Sequence, residues 1–175
     1  QFADKTVSTA DLMKNGLVLQ GNDTDESIYG WSGRNEIYGA AGNDTIITYG
    51  SDDILDGGAG DDKLYGDAGN DILIGGAGDD YLVGGNDADT YVFAKGHGND
   101  TVYDLSGQST LQFTDVNFAD VKFRREGSDL VLFGYHDNDS VRLSYYFTSN
   151  EWNNGVFQFA DKTVSTADLM KNGLV

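Results

Sequence analysis

GGAGDDKLY (57–65), GDAGNDILI (66–74) and GGAGDDYLV (75–83) are three nonapeptides in one register. Each has glycine at its first and fourth positions, aspartate at its sixth and leucine at its eighth. A period of nine is neither the 3.6 of a helix nor the 2 of a plain strand. It predicts a six-residue loop followed by a three-residue strand, repeated along the chain.

The frame extends outward from this stretch without a gap. Repeats start at Gly21, Gly30, Gly39, Thr48, Gly57, Gly66, Gly75 and Gly84. Their eighth residues are Ile28, Ile37, Ile46, Leu55, Leu64, Leu73, Leu82 and Tyr91, all apolar or aromatic, which fixes the phase. Their sixth residues are Glu26, Asn35, Asp44, Asp53, Asp62, Asp71, Asp80 and Asp89. The first two lack Asp, so those repeats are expected to fit the coil and bind poorly. A ninth loop, GHGND (96–100) followed by Thr101 and Val102, resumes the pattern after two inserted residues and puts Asp100 at the sixth position.

Two nonapeptides make one coil of 18 residues with a strand on each side, and stacked coils form a parallel β-roll. Strands then stack at about 4.8 Å, and every eighth side chain points into a narrow core. Loops line two edges, odd repeats on one and even repeats on the other. Glycine suits a loop backbone that takes positive φ and turns its carbonyls inward; the sixth Asp adds a carboxylate. Calcium, a hard cation, takes about 6–8 oxygens at about 2.3–2.6 Å, which two stacked loops can supply. Zinc would favour Cys and His, and the chain has no Cys and two His.

The expected ligands are Asp44, Asp53, Asp62, Asp71, Asp80, Asp89 and Asp100, with backbone from Gly57, Gly58, Gly60, Gly66, Gly69, Gly75, Gly76, Gly78, Gly84, Gly96 and Gly98. One edge pairs Asp44 with Asp62, Asp62 with Asp80 and Asp80 with Asp100. The other pairs Asp53 with Asp71 and Asp71 with Asp89. About five ions are expected, with Glu26/Asp44 a weak sixth pair. Thr48 replaces the first glycine of its loop and is expected to weaken that site.

Charge points the same way. The 175 residues carry 29 acidic and 11 basic side chains, a formal net charge of −18. Residues 21–92 alone hold 16 acidic and 2 basic residues, hence −14. Such a surface disfavours nucleic acid and anionic membranes and favours cations. Without Cys there are no disulfides to staple a thin core. Low hydrophobicity with high charge is ordinarily a disorder signature; the strict period predicts disorder that metal relieves. No apolar run is long enough to cross a bilayer, and no basic-then-apolar leader opens the sequence.

After Thr101 glycine thins and strand-like runs appear: 101–105, 110–113, 121–125, 129–135, 141–147 and 156–160. Several alternate apolar and polar residues, predicting half-buried antiparallel strands in a capping region with short helices. Residues 1–18 and 158–175 are identical, QFADKTVSTADLMKNGLV. This predicts one unit of a tandem array of period 157, or else a duplication made in cloning. In each copy a short strand leads to a helix capped by Ser8 or Thr9 (Ser165 or Thr166) and stopped by Gly16 (Gly173). The expected segments are a junction and N-terminal cap (1–20), the calcium-binding roll (21–102), a β-rich flank (103–157) and the duplicate (158–175).

Other candidates carry less. His97 is expected to be a loop spacer whose backbone faces the metal, and His136 lies in a polar turn. Neither stands in a recognisable nucleophile motif, so the chain is read as non-catalytic. Tyr145, Tyr146, Phe147 and Trp152 are expected to pack the flank, with a sugar platform as the alternative. Trp31 sits where a loop glycine is usual and either covers the open coil or faces a partner. Lys122, Arg124 and Arg125 are read as local charge balance.

The loops at 57–62, 66–71 and 75–80 resemble repeats-in-toxin (RTX) sequences. So do DTYVFAKGHGNDTVYD (89–104), TLQFTDV (110–116), DLVLFGYHDNDSVRL (129–143) and QFADKTVSTADL (158–169). The likeness is to the haemolysin-type calcium-binding block and the region that follows it. It implies a secreted module, exported by type I machinery, unfolded in calcium-poor cytosol and folded by external calcium. It also leaves open an adhesin module with a host-cell or glycan target, or the non-catalytic tail of a secreted hydrolase. The tandem duplication favours a repetitive toxin or surface protein whose units neighbour one another.

Overall fold

In a computed structural model, residues 16–104, 108–136, 138–148 and 155–171 are described. The first copy of the duplicate, apart from its last residues, and Trp152 lie outside them.

The described chain winds into two stacked sheets of eight strands each, numbered in chain order. One sheet runs β1 (Leu17–Gln20), β3 (Asn35–Ala41), β5 (Ile54–Ala59), β7 (Ile72–Ala77), β9 (Thr90–Phe93), β11 (Thr110–Phe113), β15 (Val156–Gln158) and β16 (Thr163–Ser165). The other runs β2 (Ser27–Tyr29), β4 (Thr45–Ile47), β6 (Lys63–Ala68), β8 (Tyr81–Asn86), β10 (Asn99–Tyr103), β14 (Ser140–Leu143), β13 (Asp129–Phe133) and β12 (Lys122–Glu126). From β1 to β12 consecutive strands alternate between sheets, so parallel neighbours are one coil apart: Ile37 pairs with Leu55, Leu55 with Leu73 and Leu73 with Tyr91. The two inserted residues pass through without a slip, since Leu82 pairs with Val102 and Tyr91 with Leu111. Register survives because a one-residue shift would turn every inward side chain out to solvent.

The core is two facing columns. Ile37, Leu55, Leu73, Tyr91, Leu111 and Phe157 come from one sheet, and Ile46, Leu64, Leu82, Val102 and Leu143 from the other; all are fully buried. Beyond the repeats an aromatic stack takes over: Phe93 lies 5.2 Å from Phe113, and Phe113 lies 5.1 Å from Phe159.

Several expectations need correction. Strands in the central repeats are six residues long, not three, because the second and third loop positions also pair in register (Gly58 with Gly76, Ala59 with Ala77). Thr110–Phe113 is not antiparallel; it pairs parallel to β9 and β15. Alternation reports a half-buried face and carries no information on strand direction. Parallel stacking therefore runs beyond the repeats, from β1 to β15. Antiparallel pairing closes each sheet at the far end, through β13 against β12 and β14 and through β16 against β15. The helix α1 (Thr166–Lys171) follows, with Asp168 N–H donating to Ser165 Oγ at 3.1 Å, which makes Ser165 the cap.

Candidate metal centre

The sixth-position aspartates form two ladders, one on each edge. Asp44 N–H donates to Asp62 Oδ1 at 2.7 Å, Asp62 N–H to Asp80 Oδ1 at 2.8 Å and Asp80 N–H to Asp100 Oδ1 at 3.0 Å. On the other edge Asp53 N–H donates to Asp71 Oδ1 at 2.8 Å and Asp71 N–H to Asp89 Oδ1 at 3.0 Å. Every pair expected from the spacing is thus brought together. All seven aspartates are buried, none more than 2 % exposed.

Six of the seven carboxylates are only half satisfied. Oδ2 of Asp44, Asp53, Asp62, Asp71, Asp80 and Asp89 is buried with no hydrogen-bond partner. A buried anionic oxygen without a donor is costly, and six of them in register describe cradles that want a cation. Among the described residues no three Asp, Glu, His or Cys side chains gather at one point, so backbone carbonyls must complete any ligand set. That favours a hard cation such as calcium.

Two kinds of glycine shape the cradles. At first-position Gly57, Gly66, Gly75 and Gly84, a Cβ would overlap Oδ2 of the same loop's aspartate. Carbonyl oxygens one coil on crowd the same point, with Gly75 O 2.6 Å from a Cβ on Gly57 and Gly84 O 2.8 Å from one on Gly66. These four do not have positive φ, so they are glycine for the space the carboxylate takes, which corrects the conformational reason expected from sequence. Positive φ falls instead on the second position (Gly58, Gly76) and the fourth (Gly60, Gly69, Gly78), and on Gly96 and Gly98 of the ninth loop. Ala40, Asp67, Ser51 and Asp87 keep that conformation at the same two positions without being glycine.

The electrostatics follow from burial. Desolvation, reinforced by neighbouring carboxylates, pushes Asp62 up to about 6, Asp71 to about 7, and Asp80 and Asp89 to about 8, from an ordinary 3.8. Asp44, Asp53 and Asp100 are raised as well, with burial again the largest cause. Burial thus makes each of these carboxylates hold its proton more tightly than a free aspartate does.

The ladder ends differ from the middle. Glu26 N–H donates to Asp44 Oδ1, but the Glu26 carboxylate accepts from Asn22 N–H and Nδ2 at 2.7 and 2.6 Å. Thr48 puts its hydroxyl against Gly66 O at 3.0 Å. The ninth loop's His97 does more than space the loop. It is 3 % exposed, its Nδ1 lies 2.7 Å from Asp100 Oδ2 and its Nε2 lies 3.0 Å from the Tyr135 hydroxyl. Its side chain therefore meets the ninth loop's carboxylate, while its backbone carbonyl accepts Gly78 N–H at 3.3 Å. At the end of the other edge Asp89 N–H donates to the Ser109 hydroxyl at 3.0 Å.

A second ladder escaped the sequence reading. Fifth-position N–H groups donate one coil backward: Asn43 to Asp25, Asp61 to Asn43, Asp79 to Asp61 and Asn99 to Asp79, at 2.8–2.9 Å. The run of Asp and Asn at that position was its signal. Among the other candidates, Tyr146 is buried edge-on against Phe147 at 4.9 Å and Arg125 lies over Phe147 at 4.4 Å. Arg124 pairs with Glu126, and the Trp31 indole donates to Arg34 O at 3.2 Å, folding back over its own loop. His136 Nε2 stands 3.8 Å from Asp115 Oδ1, away from the ladders.

The RTX calcium-binding nonapeptide repeat family matches four times, at residues 18–46, 29–64, 56–91 and 65–98. The iron-regulated protein FrpA of Neisseria meningitidis serogroup C is 43 % identical over 80 residues, covering 44 % of this chain and 7 % of that protein. The chromosomal hemolysin of Escherichia coli is 34 % identical over 99 residues, covering 49 % of this chain and 10 % of that protein. The chain thus spans a tenth or less of these curated relatives. The crystal structure of the extracellular lipase LipA from Serratia marcescens aligns over 70 % of this chain and 36 % of the lipase, at 19 % identity and a TM-score of 0.34.

Proposed function

Residues 18–98 belong to the RTX calcium-binding nonapeptide repeat family, and on that premise we propose that the chain is a non-catalytic module folded by extracellular calcium. The row of buried, unpartnered Oδ2 atoms on Asp44, Asp53, Asp62, Asp71, Asp80 and Asp89 carries this reading. Five loops, 39–44, 48–53, 57–62, 66–71 and 75–80, are each closed by the aspartate one coil on. They would hold about five ions through carboxylates and loop carbonyls. Bound calcium neutralises the loops and ties consecutive coils; the chain's own part is to line up oxygens and keep water out.

In the cell this chemistry acts as a compartment sensor. Where calcium is scarce the chain stays extended enough for type I export, and outside it folds. The absence of Cys suits that route, because folding then needs no oxidant. The 18-residue identity at the two ends supports a place in a tandem array, with neighbouring units as partners in a large toxin or surface protein. Isothermal titration with calcium tests the reading: about five ions per chain, with a large folding enthalpy, are expected, and a flat titration overturns it.

An adhesin role is the second reading. Tyr145, 53 % exposed and edge-on to Tyr103 at 6.0 Å, offers the kind of ring a sugar stacks on. A glycan array probed with calcium-folded protein decides between them: saturable binding lost in Tyr145→Ala supports the adhesin.

A further inference from the structure

Asn35, at the N-terminal end of one ladder, is the one sixth position where an amide stands for the aspartate. It is fully buried. Its Nδ2 donates to Trp31 O at 3.0 Å, Gly33 O at 2.6 Å and Asp53 Oδ1 at 2.9 Å. Its Oδ1 accepts Trp31 N–H at 3.0 Å, and its own N–H donates to Asp53 Oδ1 at 2.6 Å. Trp31 and Gly33 occupy the second and fourth loop positions. Three oxygens therefore converge on one NH2 group: two loop carbonyls and the carboxylate of the next coil.

We propose that the Asn35 amide takes the place of a calcium ion between loops 30–35 and 48–53, making this joint metal-independent. The inference rests on the calcium reading above. An NH2 group brings two protons and partial positive charge to oxygens that a cation would otherwise gather. Asp44, Asp53 and Asp62 have the same position and the same backbone bond to the next coil, but an unpartnered Oδ2 instead of a donor. Asn35→Asp removes the donor and leaves only oxygens facing one another, which recreates the cradle of the neighbouring loops. The roll thus has an N-terminal joint that is set without metal, from which the calcium-dependent coils continue. Trp31, whose carbonyl is one of the three oxygens, reports on the position.

The test compares the unaltered 175-residue chain with Asn35→Asp and Asn35→Ala, by equilibrium dialysis with calcium and by terbium luminescence excited through tryptophan. Asn35→Asp should hold one ion more than the unaltered chain. It should also show added terbium emission that Trp31→Phe abolishes, and recover at saturating calcium the thermal stability it loses at limiting calcium. Asn35→Ala should hold the original number and stay weakened at every calcium level. The proposal is overturned if Asn35→Asp binds no additional ion, or if both variants are equally weakened at saturating calcium. Failure of the calcium reading is a separate result, an unaltered chain that binds none.

Discussion

At the residue scale the first-position glycine and the sixth-position aspartate are one device. Oδ2 of Asp80 lies 2.1 Å from where a Cβ on Gly75 would be, so Gly75→Ala must push the carboxylate aside. We expect that variant to lose one ion and to weaken the remaining calcium binding about tenfold, a cost of about 1.4 kcal/mol, as read by titration. Asp71 serves two cradles, through Oδ2 in its own loop and through Oδ1 to Asp53. Asp53 serves one cradle and the Asn35 amide. Asp71→Ala should therefore remove two ions and Asp53→Ala one. The same carboxylates set the pH response. Groups raised from 3.8 to about 6, 7 and 8 bind protons more tightly when folded. Their support of the metal-free roll is complete below pH 3.8 and is lost as the pH rises through 6 to 8. Metal-free protein should gain β structure on acidification across that window. Calcium affinity should rise with pH across it, with protons released on binding, measurable by titration in buffers of different ionisation enthalpy.

At the element scale the sequence was most informative where it repeats. Eight apolar side chains in phase predicted the coil, its 18-residue pitch and the inward columns, because a slip would expose every one of them. The same phase placed the aspartate pairs. Less legible was whatever depends on a partner distant in sequence. Thr110–Phe113 shows alternation in either direction of pairing, and only the seat it finds beside β9 makes it parallel. His97 reads as a polar loop residue until Tyr135, 38 residues on, and Asp100 enclose it. The Asp and Asn run at the fifth position was visible in the sequence, but its backward ladder needs the stacked coils to exist. Each central strand hangs on one core leucine. Leu73→Ala should cost about 2–5 kcal/mol of the calcium-saturated stability, read by denaturant unfolding. Tyr81→Ala, at a side chain 36 % exposed on the outer face, should cost much less.

At the scale of the whole molecule the balance is between a narrow core and a large negative charge. Two columns of single side chains are all that a roll this thin can bury, and residues 21–92 carry −14. Self-repulsion of that size opposes a compact state, and the unpartnered oxygens add to it from inside. The far end is different in kind. Phe93, Phe113, Phe159 and Tyr135 make a broader aromatic core there, and antiparallel strands close both sheets. That end should retain more protection from hydrogen exchange in chelator than the loops between Gly39 and Asp89. On the function proposed above, calcium binding is the step that converts the repeats from an extended polyanion to a stacked roll. Far-ultraviolet circular dichroism of the 175-residue chain, recorded with millimolar calcium and again with excess EGTA, addresses this directly. The β signal should be strong with calcium, collapse toward a disordered spectrum on chelation and return when calcium is restored. A β spectrum unchanged by EGTA would contradict calcium-driven folding.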